Sequence, residues 1–262
     1  MTDLVYGCSM MHDELDVAPW VIEHMLFECD RLIVADNASR DGTRELLDML
    51  ALSSGGRLSV VDEPGLAFNQ AASMNRLADM AAAEGAAWIV PFDADEWWTA
   101  EWPDRKGRWT PVPIAAALRA MPAGDWQTTT RTIDLVPQPD DDPAQPNPFL
   151  RARHHRPGSL WSAPGARKTA FRPASGRRLV QGNHRLEDAP WAPVGPLRIR
   201  HLPYRSLGQA RRKLRHGRTA ILAANLPTTS GTHWQQLGAM SDADLEGWWY
   251  GWTDPVGLEP AP

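Results

Sequence analysis

No stretch of eighteen apolar residues occurs in the 262 residues, so no segment reads as a membrane span. The opening MTDLVYGCSMMHDE lacks a basic start followed by an apolar run. It does not read as a secretory signal, and the expected location is cytoplasmic. Only two cysteines are present, Cys8 and Cys29, without metal-type spacing. Each lies in an apolar stretch, which points to buried free thiols in a reducing compartment rather than a disulfide framework. Acids are scarce in one region: from 150 to 218 there are 17 Arg and Lys against Glu187 and Asp188 alone, a net of +15. The rest of the chain has 10 basic and 30 acidic residues, a net of −20. That division suggests an electropositive face and an anionic ligand.

Hydrophobic residues make up 43% of the chain, enough for a sizeable core. The first hundred residues alternate strand and helix patterns. LVYGCSM (4–10) reads as a short strand, and APWVIEHMLFEC (18–29) as a helix with Pro19 near its start, where proline is tolerated. RLIVAD (31–36) reads as a buried strand, and TRELLDMLALS (43–53) as a helix capped by Ser39 or Asp41. RLSVVD (57–62), the Ala-rich helix at 69–85 and AWIVPFD (87–93) continue the alternation. The order implies a parallel sheet with helices on both faces, an α/β fold. Ligands of such sheets bind beyond the carboxyl ends of the strands. Here those ends carry His12, Asp13 and Glu14, then Asp36 and Asn37, then Asp62 and Glu63, then Asp93 and Asp95, so acids gather on one rim.

From about Trp97 the pattern breaks. PQPDDDPAQPNPF (137–149) reads as a long exposed loop, with strand-like pieces at 126–136, 168–173 and 196–204 and a basic helix at 206–226. The tail LEPAP is expected to be loose. The expectation is a single domain over 1–262, with a nucleotide-sugar half at 1–100, a completing half at 101–226 and an extension at 227–262.

Two stretches carry chemistry. IVADNASRDGTRELL ends a strand on Asp36 and turns through Asn37, Ser39, Asp41 and Gly42 into a helix, which is also ordinary turn and cap chemistry. FDADEWW places Asp93 and Asp95 one residue apart at another strand end. Two such carboxylates can face one hard cation, Mg²⁺ or Mn²⁺, with diphosphate oxygens completing its shell. A bare Asp-x-Asp is otherwise a solvated turn.

Together these stretches resemble a family 2 glycosyltransferase with the GT-A fold. DNASRDGT resembles that family's turn after the second strand, FDADEWW its Asp-x-Asp site, and HDE (12–14) its Asn-Glu element, with His12-Asp13 a departure. GNHRL (182–186) and HLPYRSLGQARRKLRHG (201–217) resemble a bacterial and phage subgroup, which implies the cytoplasm of a bacterium or of an infected host. The resemblance spans residues 4 to about 220 and implies transfer of a sugar from a nucleoside-diphosphate sugar, UDP by expectation, with inversion. Asp36 would accept from the base ring, with Asn37 and Asp41 in the same turn and Gln70 on a nucleotide-contacting helix. Asp93 would lie near the ribose and metal, Asp95 would ligate Mn²⁺ or Mg²⁺, and His201 would be a further metal or diphosphate contact. Arg205, Arg211 and Lys213 could reach the diphosphate. The family's base is an Asp in a Glu-Asp pair opening a helix. Here Glu187-Asp188 precedes APWAP, which cannot easily begin a helix, so His184 and Glu187 compete with Asp188.

The acceptor is open. The +15 block, interleaved with Trp161, Phe171, Trp191 and Tyr204, suits a polyanion with stackable bases, and a hydroxymethylated pyrimidine in duplex DNA is one possibility. A cell-surface glycan or a virion protein is another. Two other classes are weighed: a nucleotide-sugar-binding protein without chemistry, which intact Asp93 and Asp95 disfavour, and a nucleotidyltransferase, whose Gly-rich basic loop CSMMHDE lacks.

Overall fold

The computed structural model describes residues 3–63, 70–157, 167–174, 176–224 and 231–262. Strands β1 (Leu4–Met11), β2 (Arg31–Asp36), β3 (Leu58–Asp62) and β4 (Ala86–Pro91) alternate with helices α1 (Ala18–Glu28), α2 (Thr43–Ser53) and α3 (Gln70–Ala83). The expected boundaries hold to within two residues, apart from the Asn69 start of the third helix, which lies outside the described residues. A hairpin of β5 (Glu96–Pro103) and β6 (Trp109–Val112) follows, then α4 (Ile114–Ala120), β7 (Gln127–Asp134), α5 (Pro148–Arg151) and β8 (His154–His155). β9 (Thr169–Phe171), β10 (Val194–His201), α6 (Leu207–Ala223), α7 (Thr232–Leu237), α8 (Asp242–Trp252) and β11 (Glu259–Pro260) complete the order.

Apolar side chains alternate between the two faces of the inner strands because successive Cβ atoms point opposite ways. On β2, Leu32 and Val34 join one core cluster with Val21, Ile22 and Met25 of α1; Ile33 and Ala35 join another with Met74, Leu77 and Ala81 of α3. Those helical residues recur at three- and four-residue spacing, the period that puts one stripe against a sheet. Gly7 leaves room on β1, because a Cβ there would lie 2.5 Å from the Leu32 side chain, which would have to shift.

Nine strands form one sheet in the order β3-β2-β1-β4-β9-β7-β10-β5-β6. β2, β1 and β4 pair parallel, as do β2 with β3 and β7 with β10. β9 is antiparallel to β4 and β7, and β5 is antiparallel to β10. The directions place the functional rim. The carboxyl ends of β2, β4, β7 and β10 lie on one edge, and the antiparallel β9 and β5 begin there. Asp36, Asp93, Asp134 and His201 therefore meet Lys168, Asp95 and Glu96 on a single rim.

Three expectations need correction. The tail is not loose: Glu259 and Pro260 pair with His155 and His154, and Ala261 N–H donates to the Arg153 carbonyl at 2.7 Å. The helix after Asp36 is not capped by Ser39 or Asp41, since its N-cap is Gly42 in the left-handed region at φ 102°. Asp41 sits one residue earlier and accepts from Thr43 N–H at 2.9 Å. The break near Trp97 is the β5–β6 hairpin, whose EWWTAEWP strand carries too many polar and half-buried positions to read as an inner strand.

Candidate active site

Asp95 is 5% exposed, at the turn into β5. Burying a lone carboxylate is costly, so it must be paired. Lys213 of α6 forms an ion pair with its Oδ2, and His201 Nε2 lies 3.4 Å from the same oxygen. His201 Nδ1 bonds Asp134 Oδ1 at 2.7 Å. Burial alone would lower the imidazole's pKa, but Asp95 and Asp134 outweigh it and lift it to about 10. Burial would likewise raise Asp95, but Lys213 and His201 hold it well below the ordinary carboxylate range. The row Asp134–His201–Asp95–Lys213 alternates in charge across three strand ends and a helix.

Asp93 has a separate setting. Lys168, next to β9, pairs with its Oδ2 and lies 3.2 Å from Glu96 Oε1. Burial opposes the charge on this ammonium, yet Asp93 and Glu96 raise its pKa above the ordinary lysine value. Gln70 Nε2 donates to Asp93 Oδ1 at 3.2 Å, and the other end of that amide accepts from Gly182 N–H at 3.1 Å. Gln70 thus ties Asp93 to a short 3₁₀ turn at Gln181–Asn183. Asn183 is fully buried in the left-handed region at φ 60°, and its Oδ1 has no partner. Asparagine is one of the few non-glycine residues that adopt this region readily, which suits it to the turn.

The nucleotide side is built by the turn after β2. Asp36 is 5% exposed; its Oδ2 accepts from Ser39 N–H at 3.3 Å, while Oδ1 is buried with no partner. A buried carboxylate oxygen without a donor is an acceptor suited to a ring N–H. Asn37 Nδ2 donates to the Glu63 carbonyl at 2.6 Å, which holds the turn against the end of β3. Asp41 is a brace: it accepts from Thr43 and, at 3.0 Å, from Leu15 N–H. Burial would raise its pKa, but those hydrogen bonds lower it.

The cations expected near a diphosphate separate. Lys213 is on the rim. Arg205 is held by Glu14 and, at 2.7 Å, by Asp16, with a side chain 6% exposed. Arg211 is directed to α8, where its Nη2 donates to the Asp242 carbonyl at 3.0 Å. Of the three base candidates, Glu187 and Asp188 are exposed and their side chains make no ion pair or hydrogen bond among the described residues. His184 lies inward: its Nδ1 bonds the Arg167 carbonyl at 2.8 Å, and burial followed by the Lys168 charge lowers its pKa. A carbonyl partner makes Nδ1 the donor and leaves Nε2 with a free lone pair.

The donor set at Asp95 and His201 would fit a divalent cation such as Mn²⁺ once the imidazolium gives up its Nε2 proton: a carboxylate beside an imidazole whose other nitrogen is oriented by Asp134. Asp93 fits less well as a ligand, since Lys168 and Gln70 engage both its oxygens. Asp93, Asp95 and His201 do not bring three ligand atoms together. Among the described residues the group that does so is Asp140, Asp141 and His154, in the loop after β7 and at β8.

The charge division along the chain closes up in space. Eight of the 17 cations between 150 and 218 pair with acids from outside that block: Arg153, Lys168, Arg178, Arg198, Arg205, Arg211, Lys213 and Arg215. Two of the four aromatic residues expected to stack on bases are also engaged. Phe171 is in the core and Tyr204 is 8% exposed, edge-on to Trp248 at 4.9 Å; Trp191 is half exposed, and Trp161 lies outside the described residues.

Sequence reasoning missed Lys168, Asp134 and Asn183. One signal was available for the first. The chain has 24 arginines and three lysines, and two of those lysines, Lys168 and Lys213, neutralise the rim carboxylates.

Residues 22–105 match the family described as Glycosyl transferase family 2. None of the curated proteins matches the chain. Among solved structures the chain is similar to a mannosyltransferase from Pyrobaculum calidifontis in complex with GDP-Man and Mn²⁺, at 14% identity and a TM-score of 0.45, over 94% of this chain and 73% of that one. It is also similar to S. aureus TarS 1–349 in complex with UDP, at 12% identity and a TM-score of 0.39, over 90% of this chain and 70% of that one. Among the described residues no helix is long and apolar enough to cross a membrane.

Proposed function

We propose that this chain, whose residues 22–105 match the family described as Glycosyl transferase family 2, transfers a sugar from a nucleoside-diphosphate sugar, UDP-linked in the first instance, to an acceptor hydroxyl with inversion. The observation that carries the reading is the Asp134–His201–Asp95–Lys213 row on the rim where Asp36 presents an unpartnered buried oxygen. Asp36 Oδ1 would accept the ring N–H of the base. Asp95 and His201 would hold Mn²⁺ or Mg²⁺, which when bound supplies positive charge against the leaving diphosphate. Lys213 would add a second positive charge at the same place.

His184 is the base this reading favours. Its unprotonated Nε2 would take the acceptor proton as the hydroxyl oxygen bonds the anomeric carbon and the bond to the diphosphate breaks. Glu187 and Asp188, exposed on their turn, are kept as the weaker candidates. Duplex DNA loses its main support as an acceptor, because the basic block is substantially engaged by the chain's own acids; a glycan or protein hydroxyl is the acceptor retained.

Incubation with Mn²⁺ and labelled UDP-, GDP- and TDP-sugars, with and without hydroxymethylated DNA, tests the reading. The expected result is donor turnover with one nucleotide class, dependent on the metal and indifferent to the DNA. Absence of turnover and of nucleotide binding for every donor would overturn it, and DNA-dependent transfer would restore the DNA acceptor.

A further inference from the structure

A cavity of about 240 Å³ opens on the same rim, between the loop after β7 and the segment after β10. Pro137, Gln138, Pro148, Leu202, Arg205 and Arg151 of α5 line it. It adjoins the proposed transfer centre directly, since Leu202 follows His201 and donates its N–H to the Asp95 carbonyl at 2.8 Å. Arg205 also links it, through Glu14 and Asp16, to the segment that braces the turn after β2, since Leu15 N–H donates to Asp41 at 3.0 Å. The cavity's size is below the ~300–1,000 Å³ of pockets for drug-sized ligands, close to one sugar ring.

Two features give it chemistry. Arg205 is buried, its Nε and Nη2 are bound by Asp16 and Glu14, and Nη1 is buried without a partner. A buried donor left unmatched is costly, so an acceptor atom that reaches it from the cavity would relieve it. Arg151, which lines the cavity, makes no side-chain ion pair or hydrogen bond among the described residues, so its charge is available to a ligand there. Asp141 also lines the space, but its Oδ2 accepts from Gln138 N–H at 2.8 Å and its Oδ1 lies 4.0 Å from Arg153 Nε. Its charge is therefore engaged by its own loop and by Arg153. Proline walls with a cationic end suit a ring that bears an oxyanion.

We propose that this cavity is a subsite for an acceptor saccharide carrying a carboxylate or a phosphate, with the oxyanion at Arg151 and a ligand oxygen on Arg205 Nη1. The word acceptor rests on the glycosyltransferase reading above; the oxyanion site does not. Calorimetric titration of the full chain with glucuronate, glucose 6-phosphate and glucose tests it, with UDP plus Mn²⁺ titrated into the same preparations. At least one anionic sugar should bind about tenfold or more tighter than glucose, as a charge-assisted contact implies. Whichever anionic sugar binds tighter identifies the oxyanion as carboxylate or phosphate. Arg151→Gln should abolish the preference and leave UDP affinity unchanged, which also shows that the variant is folded. Equal affinity for all three sugars, or a preference that survives Arg151→Gln, overturns the subsite. Failure of the wild type to bind UDP would strike at the donor reading and leave the sugar result to be judged by itself.

Discussion

The part of the chain up to Asp95 supplies most of the rim's acids, and the part after it supplies the rim's cations together with Glu96 and Asp134. The first contributes Glu14, Asp16, Asp36, Asp93 and Asp95, each at or just beyond a strand end. The second contributes Lys168, His201, Arg205 and Lys213, and every one of these pairs with an acid from the first. Within the rim, two carboxylates separated by one residue have different cations: Asp93 has Lys168, nearly buried, and Asp95 has Lys213 and His201, which are more accessible. The difference teaches that an Asp-x-Asp tripeptide is not one ligand pair here. Asp93, itself the more exposed carboxylate, is held by a buried cation, and the buried Asp95 keeps partners that can give way.

The largest expected effect breaks the Asp93 side. Lys168→Met should destabilise the protein by about 3–5 kcal/mol in denaturant unfolding, because Asp93 and Glu96 lose their shared cation and Glu96 is 2% exposed. Lys213→Met should cost less, since its side chain is 21% exposed against 8% for Lys168. Equal losses would erase the contrast between the two carboxylates.

The next effect belongs to the turn tied to Asp93 through Gln70. His184→Gln should lower kcat by about 10² with the donor KM little changed, the usual worth of a positioned base. A similar loss in Asp188→Asn with His184→Gln near wild type would return the base to the exposed pair.

On the nucleotide side, Asp36→Ala should raise the Kd for UDP by about tenfold, the cost of one charge-assisted hydrogen bond, and leave the rate of the bound complex nearly unchanged. Unaltered UDP affinity would reduce the Asp36 turn to a structural feature.

Asp41 should give the smallest effect. Its folded pKa is lowered, so the stability it contributes is present above the unfolded carboxylate range and is lost as pH falls through the lowered value. Asp41→Ala should therefore lose a little stability at neutral pH and show a shallower acid decline than wild type. Parallel pH curves for the two would remove that assignment.

The same contrast explains what the sequence disclosed. Up to Asp95 the signals are local: inner parallel strands are continuous apolar runs, α1 and α3 carry clear stripes, and the rim acids follow strand ends. The strand boundaries and Asp36, Asp93 and Asp95 as rim residues were therefore legible. After Asp95 the signals are long-range. Lys168 finds Asp93 across 75 residues and Arg205 finds Asp16 across 189. No window of sequence shows that Asp134 orients His201, or that the proline-containing tail pairs with His154 and His155. Net charge counted along the chain misled for the same reason, because it records composition and not which cation faces which acid.

Calorimetric titration of UDP in the presence and absence of Mn²⁺, on wild type and Asp95→Asn, tests the central claim most directly. The account predicts that Mn²⁺ tightens UDP binding by about tenfold or more in wild type, as a cation that Asp95 and His201 would hold beside the diphosphate would do, and that Asp95→Asn loses the gain while still binding UDP weakly through Asp36. UDP affinity independent of Mn²⁺ in wild type, or a Mn²⁺ gain undiminished in Asp95→Asn, would contradict it.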